Sequence, residues 1–227
     1  MIESFAVILP AAGTSSRYGR NKLLEPLAGK PILFHTLRAF LSRQDVRQIV
    51  LATQYDFSAD RSIAPLLRDP RIKICPGGHC RAESVRLAAL ACSENSAWLA
   101  IHDAARPLIS QELIDKTLAL ASKHGCAVPA MPVPLTIKQA ASPLPARVTR
   151  TLPRHELWAM QTPQIMCRLD LLMAYEKCPL PLDQITDDAQ LLELAGKEVW
   201  LLPGEERNLK ITTPSDLMLA ETFARDA

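Results

Sequence analysis

Apolar and polar positions alternate in blocks along this chain. Phe5 to Leu9 is a continuous apolar run with the length and composition of a strand buried on both faces, and Pro10, which cannot donate to a ladder, ends it. Pro31 to Ser42 predicts a helix, with Pro31 in its first turn and Ile32, Leu33, Leu37 and Phe40 at near-helical spacing. Gln48 to Thr53 predicts a second strand, Ser58 to Leu67 a helix, and Arg71 to Cys75 a short strand. A Gly77-Gly78 turn leads into an amphipathic helix from Arg81 to Cys92, with Ala82, Val85, Ala89 and Cys92 on one face. Ala97 to Ile101 and Cys126 to Val133 read as strands on either side of a helix over 111–123.

Strand and helix taken in turn predict an α/β fold with a mostly parallel sheet covered on both faces. Ligands in such sheets bind beyond the carboxyl ends of the strands. The loops at 10–22, 76–81 and 102–107 all leave such ends and are expected to face one crevice. Residues 132–165 break the rhythm, because Pro132, Pro134, Pro143, Pro145, Pro153 and Pro163 are incompatible with a regular helix. With a strand from Val148 to Leu152, this stretch predicts an arm projecting from a single domain that spans 1–227. The α/β pattern then resumes, with helices near 168–177 and 187–195, strands near 198–202 and 208–211, and a last helix from Pro214 to about Ala224.

Composition narrows the function classes. At 48% hydrophobic and 22% charged, the chain is an average globular sequence, which argues against disorder. A formal net charge of +2 does not suggest a nucleic-acid binder, so any electropositive site must be local. The six cysteines form no Cys-x-x-Cys pair and read as scattered reduced thiols of a cytoplasmic protein. No apolar stretch approaches the roughly 20 residues needed to span a bilayer, and a strand starting at residue 5 leaves no room for a signal or transit peptide.

Three stretches carry candidate chemistry. In Pro10-Ala-Ala-Gly13 the side chains nearly vanish, which opens the backbone N–H groups to a close ligand, and Arg17, Arg20 and Lys22 follow. Small backbone beside fixed positive charge suits a polyphosphate; an ordinary strand-ending turn with solvated cations fits the same residues. Neither a P-loop nor a Gly-x-Gly-x-x-Gly fingerprint is present. His102-Asp-Ala-Ala-Arg-Pro107 puts an acid at a strand end, able to hold a metal or a ribose hydroxyl, with an arginine three residues on for a phosphate; a structural Asp–Arg pair is the competing reading. Gly77-Gly78 before a helix start offers free N–H groups to an anion or a base edge, or is a plain cap. No histidine pair or nucleophile elbow points to covalent or zinc catalysis.

Taken together, these stretches resemble the 2-C-methyl-D-erythritol 4-phosphate cytidylyltransferases. The resemblance runs through Pro10-Ala-Ala-Gly13 with Arg17 and Lys22, Gly77-Gly78 with Arg81 and Ser84, His102 to Pro107, and Thr136. It continues through Arg154 with Leu157-Trp158, Thr162-Pro163-Gln164, Ile185-Thr186-Asp187 and Asn208-Leu209-Lys210. It implies a Rossmann-like three-layer nucleotidyltransferase domain with a β-arm that interlocks a homodimer. The implied reaction moves a cytidylyl group from CTP to a sugar-alcohol phosphate, with Mg²⁺ on the triphosphate and no nucleic acid or membrane as partner. By the same resemblance, Arg17 and Lys22 stabilise the pentacoordinate α-phosphate, and Ala11, Ala12, Gly13, Gly78, Ser84, Asp103 and Ala104 hold the nucleotide. Asp103, Arg106, Thr136, Arg154, Thr162, Thr186 and Lys210 then position the sugar phosphate, with Arg154 and Lys210 close to the chemistry and Asp103 the one candidate metal ligand. The nearest rivals are a ribitol-5-phosphate cytidylyltransferase, against which Leu157-Trp158 weighs, and a catalytically idle nucleotide-binding homologue.

Overall fold

A computed structural model describes residues 2–13 and 21–225. The proposed role of Arg17 therefore lies outside the described residues. In chain order the elements are β1 (Phe5–Pro10), a two-residue-strand hairpin β2 (Pro26–Leu27) and β3 (Lys30–Pro31), α1 (Ile32–Leu41), β4 (Val46–Thr53), β5 (Ile72–Pro76), α2 (Arg81–Ala91) and β6 (Trp98–Ile101). There follow α3 (Gln111–His124), β7 (Cys126–Pro132), β8 (Ile137–Ala140), β9 (Val148–Leu152), β10 (Trp158–Met160) and β11 (Gln164–Cys167). The chain ends with α4 (Arg168–Glu176), α5 (Asp188–Leu194), β12 (Trp200–Pro203) and α6 (Pro214–Arg225).

The main sheet runs β10-β7-β11-β6-β1-β4-β5, with β12 also paired to β7. Strands β6, β1, β4 and β5 are mutually parallel, as are β7 and β12. The period-2 geometry of β1 divides the core in two. Phe5, Val7 and Leu9 face a layer that includes Leu33, Leu37 and Phe40 of α1 and Ile114 and Ala121 of α3. Ala6 and Ile8 face the other way, onto Val85, Ala88 and Ala89 of α2 and Leu171 and Leu191 of α4 and α5. The result is a three-layer α/β arrangement whose central strands are fully buried, as their unbroken apolar runs require.

Three local expectations are corrected. The segment expected as a helix over 58–67 contains only the 3₁₀ turns Phe57–Ala59 and Leu66–Arg68. The Asp60 carboxylate accepts from the Ser62 and Ile63 N–H groups at 2.8 and 3.0 Å, and Pro65 has no N–H to give, so local turns win over the helix. Residues 208–211 form no strand, since Ile211 N–H donates to Ala105 O and Asn208 N–H to Glu205 O, outside any ladder. The projecting piece is also narrower than 132–165. Only β8 and β9 pair with each other apart from the main sheet, while β10 and β11 return to it antiparallel, β11 between β6 and β7. Gln164, Ile165 and Met166 are buried there, so the burial of an apolar strand outweighs the proline-rich context.

Helix α3 shows how local chemistry sets an element's ends. Ser110 Oγ accepts from Leu113 N–H at 3.0 Å at its start, and Gly125 closes it at φ +86, a left-handed angle that glycine adopts without strain. The Ser110 hydroxyl also donates to Glu205 at 2.6 Å. Ser110→Ala is expected to cost about 1 kcal/mol of folding stability, read as a lower urea midpoint at unchanged slope.

Candidate active site

Chain order places the site. From β1 the connections run outward through β4 to β5, then return to the other side of β1 at β6. Two neighbouring strands whose connections leave in opposite directions open a crevice at their carboxyl ends. A cavity of about 400 Å³ occupies that crevice. It is walled by Pro10 to Gly13 after β1, Gly78 to Arg81 and Ser84 at the start of α2, Asp103 to Ala105 after β6, and by Lys22, Leu23, Lys210 and Thr212.

Each wall is fixed by its own backbone. Ala11 N–H donates to Ala52 O at 2.7 Å and Gly77 N–H to Thr53 O at 3.2 Å, which ties the loops after β1 and β5 to β4. A Cβ added at Gly77 would overlap the Ala12 Cβ, so these loops touch only because residue 77 has no side chain. Gly77→Ala is expected to push them apart at a cost of about 1–3 kcal/mol, measurable by urea unfolding. Around α2, the Ser84 hydroxyl accepts from Gly78 N–H at 3.0 Å and donates to Cys80 O at 2.9 Å, while the Glu83 carboxylate accepts from His79 N–H at 2.6 Å. Lys22 opens a 3₁₀ turn, Lys22–Leu24, capped by the Asn21 side chain, which accepts from Leu23 N–H at 3.1 Å.

Asp103 is the electrostatic centre. Its Oδ1 lies 3.2 Å from Arg81 Nε, and its Oδ2 lies 3.0 Å from Lys210 Nζ and 3.4 Å from Arg106 Nε. Burial opposes its ionisation, but Arg81, Lys210 and Arg106 outweigh that and hold the carboxyl far below the usual range. Arg81 reaches past it, placing Nη1 2.8 Å from Oδ2 of the fully buried Asp188. Burial alone would weaken the charge on Arg81; Asp188 and Asp103 reverse this and keep it firmly cationic. Next to Asp103, His102 is fully buried, and burial pushes its pKa down to about 4.

The structure gathers nine of the expected residues at the cavity wall: Ala11, Ala12, Gly13, Lys22, Gly78, Ser84, Asp103, Ala104 and Lys210. Arg106 stands behind that wall. Its guanidinium donates to Asn208 O at 2.6 Å and Met160 O at 3.4 Å, as well as to Asp103. Thr162 is buried too, its hydroxyl accepting from Asp103 N–H at 3.0 Å. Thr136, Arg154 and Thr186 are exposed and lie outside the cavity lining; Arg154 donates to Pro134 O at 2.8 Å, and Thr186 Oγ1 donates to Gln190 Oε1 at 3.1 Å. Sequence reasoning gave no role to Asp188. A signal existed: Asp188 shares the start of a helix with buried Ala189, Leu191 and Leu192, and an acid on an apolar stripe needs a cation.

Among the described lining residues there are three fixed cations, Lys22, Arg81 and Lys210, and one carboxylate, so the cavity suits an anion with several charges. For a divalent ion, Asp103 is the single carboxylate in that lining, and both its oxygens are engaged by cations. This donor set fits an ion carried in on phosphates better than one held by the protein. No helix among the described residues is long and apolar enough to cross a membrane.

Comparison with known proteins agrees with this geometry. The family model described as IspD: 2-C-methyl-D-erythritol 4-phosphate cytidylyltransferase matches residues 5–226. The chain is 40% identical to the 2-C-methyl-D-erythritol 4-phosphate cytidylyltransferase of Haemophilus influenzae (strain PittGG), over 98% of this chain and 97% of that one. It is 40% identical to the enzyme of the same name from Gloeobacter violaceus, over 96% and 95%. The crystal structure of 2-C-methyl-D-erythritol 4-phosphate cytidylyltransferase from Thermus thermophilus superposes with a TM-score of 0.78 at 32% identity, covering 98% of this chain and 99% of that one. A match over nearly the whole length, with the small-residue loop, the cations and the buried acid brought to one crevice, means that the chain belongs to the 2-C-methyl-D-erythritol 4-phosphate cytidylyltransferase family.

Proposed function

We infer that this protein transfers a cytidylyl group from CTP to 2-C-methyl-D-erythritol 4-phosphate, forming 4-diphosphocytidyl-2-C-methyl-D-erythritol and releasing pyrophosphate. The observation that carries this reading is the 400 Å³ crevice, lined both by the small-residue stretch from Ala11 to Gly13 and by Lys22, Arg81 and Lys210. An oxygen of the sugar phosphate attacks the α-phosphorus of CTP, the bond from that phosphorus to the bridging oxygen breaks, and pyrophosphate leaves with the electron pair. The attacking phosphate is already ionised at neutral pH, so positioning and charge stabilisation carry the chemistry and no strong base is needed.

In this reading Ala11, Ala12, Gly13, Gly78, Ser84 and Ala104 hold the nucleotide, and Arg17 and Lys22 meet the charge that builds on the α-phosphate. Asp103 and Lys210 orient the sugar phosphate from within the crevice, with Arg106 behind them. Thr136, Arg154 and Thr186 stand outside the crevice of this chain, so Thr136 and Arg154 complete the pocket of a second copy through the β8–β9 arm in a homodimer. A divalent cation, Mg²⁺ here, neutralises charge on the triphosphate when bound. The expected compartment is the cytoplasm.

The test is pyrophosphate release from Mg²⁺ and CTP with 2-C-methyl-D-erythritol 4-phosphate and ribitol 5-phosphate offered in parallel. Release with the first alone supports the reading. Release with the second alone would keep the chemistry and replace the substrate. A folded protein that binds CTP and releases nothing with either would overturn it. For the arm, a fully active monomer in sedimentation would remove the role of Thr136 and Arg154.

A further inference from the structure

His102 is a fully buried titratable side chain beside the crevice, and the mechanism above does not use it. It follows the last residue of β6, where its N–H donates to Ile8 O at 2.9 Å and extends the pairing with β1 by one step. Its ring packs edge-on to Phe40, with centroids 5.1 Å apart, and is fully buried. Both ring nitrogens are engaged. Nε2 lies 3.0 Å from Arg106 O, and Nδ1 lies 3.1 Å from Thr162 Oγ1. The same Thr162 oxygen receives the Asp103 N–H at 3.0 Å.

The protons in this chain of contacts follow from which atoms can donate. A carbonyl oxygen only accepts, so Nε2 carries a proton for Arg106 O. Thr162 Oγ1 already accepts from Asp103. If Nδ1 also carried a proton, the threonine hydroxyl would receive two donors, and its own hydrogen would lose this partner in a buried place. With Nδ1 bare, these three contacts each have one donor and one acceptor: Asp103 N–H to Thr162 oxygen, Thr162 hydroxyl to Nδ1, Nε2–H to Arg106 O. The first and last groups of this relay are the two ends of one turn, itself closed by Arg106 N–H donating to Asp103 O at 3.0 Å.

We propose that His102 is a positioning residue: as neutral imidazole protonated on Nε2, it clamps both ends of the Asp103–Arg106 turn, directly through the Arg106 carbonyl and through the Thr162 hydroxyl to the Asp103 N–H. The clamp gives Thr162 a task distinct from touching substrate. It sets where the Asp103 carboxylate stands, and through it where Lys210 and Arg81 present their charges. Its physical logic is that of an outer partner that orients the groups which meet the ligand. A shift of an ångström in such groups costs on the order of 10²-fold in rate.

The test has two arms. The first is spectroscopic, uses the ligand-free wild-type chain, and does not depend on the cytidylyl-transfer reading. Nitrogen NMR of the His102 ring at neutral pH is expected to show a single neutral form with the proton on Nε2, and the Asp103 amide to exchange slowly. In Thr162→Val, which keeps the shape and removes the hydroxyl, that amide loses its protection and the Nδ1 resonance shifts. The second arm rests on that reading. Thr162→Val and His102→Phe are expected to lower kcat/KM for the sugar phosphate by on the order of 10²-fold, and Thr162→Ser, which restores the hydroxyl, recovers most of the loss. A ring protonated on Nδ1, or an Asp103 amide equally protected in Thr162→Val, would overturn the clamp even in an active enzyme. So would a Thr162→Ser variant as impaired as Thr162→Val. Should His102→Phe not fold, the wild-type spectrum and the two threonine variants still decide the matter. A wild type that turns over neither alcohol phosphate would overturn the reaction assigned above and leave the first arm to judge the clamp.

Discussion

Lys22→Ala is expected to reduce kcat by on the order of 10²-fold or more while leaving CTP affinity nearly unchanged. The expectation comes from what surrounds the lysine. Its backbone belongs to a capped 3₁₀ turn at the cavity wall, so its cation is held by an ordered piece of chain. A charge held in place is most effective where negative charge gathers during the reaction. In cytidylyl transfer those atoms are the oxygens around the α-phosphorus as the attacking and leaving groups share it. An interaction that strengthens only at that moment shows in kcat, whereas one present from the first encounter shows in binding. Steady-state kinetics beside calorimetric titration with CTP separates the two. Equal losses in turnover and affinity would show that Lys22 merely holds the nucleotide.

Arg81→Ala is expected to destabilise the fold by about 3–5 kcal/mol, well beyond the zero to about 1 kcal/mol typical of a solvated ion pair. Asp188 has no solvent exposure, and Arg81 Nη1 lies 2.8 Å from it. Without that arginine, a carboxylate would stand in the apolar layer formed by α2, α4 and α5 with its counter-charge gone. Equilibrium urea unfolding reads the loss. The double variant Arg81→Leu with Asp188→Leu separates structure from function: removing both charges is expected to restore much of the stability without restoring CTP binding. A single variant that loses less than about 1 kcal/mol would show that water reaches Asp188 after all.

Much of the fold is written in local periodicity, and the elements around the crevice follow it closely. The apolar run at Phe5 to Leu9 is β1, and the stripe through Ala82, Val85 and Ala89 packs α2 on the sheet. The cavity loops were legible for a related reason. Small residues and cations sit directly after strand ends, and chain order alone sends those ends to one side. Less legible was anything decided by partners far along the chain. Arg106 looks like a phosphate ligand in its hexapeptide, yet its guanidinium is drawn inward to Asn208 O, 102 residues away. Thr162 lies 59 residues from the amide it serves, and Asp188 finds its cation on another helix. The helix expected over 58–67 failed for the opposite reason: one aspartate and one proline, acting within a few residues, overrode a favourable apolar pattern.

The arrangement around Asp103 has a consequence for how the protein meets its substrates. Lys210 and Arg81 would repel one another at the crevice wall, and the Asp103 carboxylate keeps them together by standing where a negative group is wanted. The free protein thus carries an internal stand-in for its own ligand. A phosphate arriving at this wall would meet Arg81 and Lys210 already paired with a carboxylate and would compete with it for them. What it gains is the difference between two fits rather than the full attraction of one.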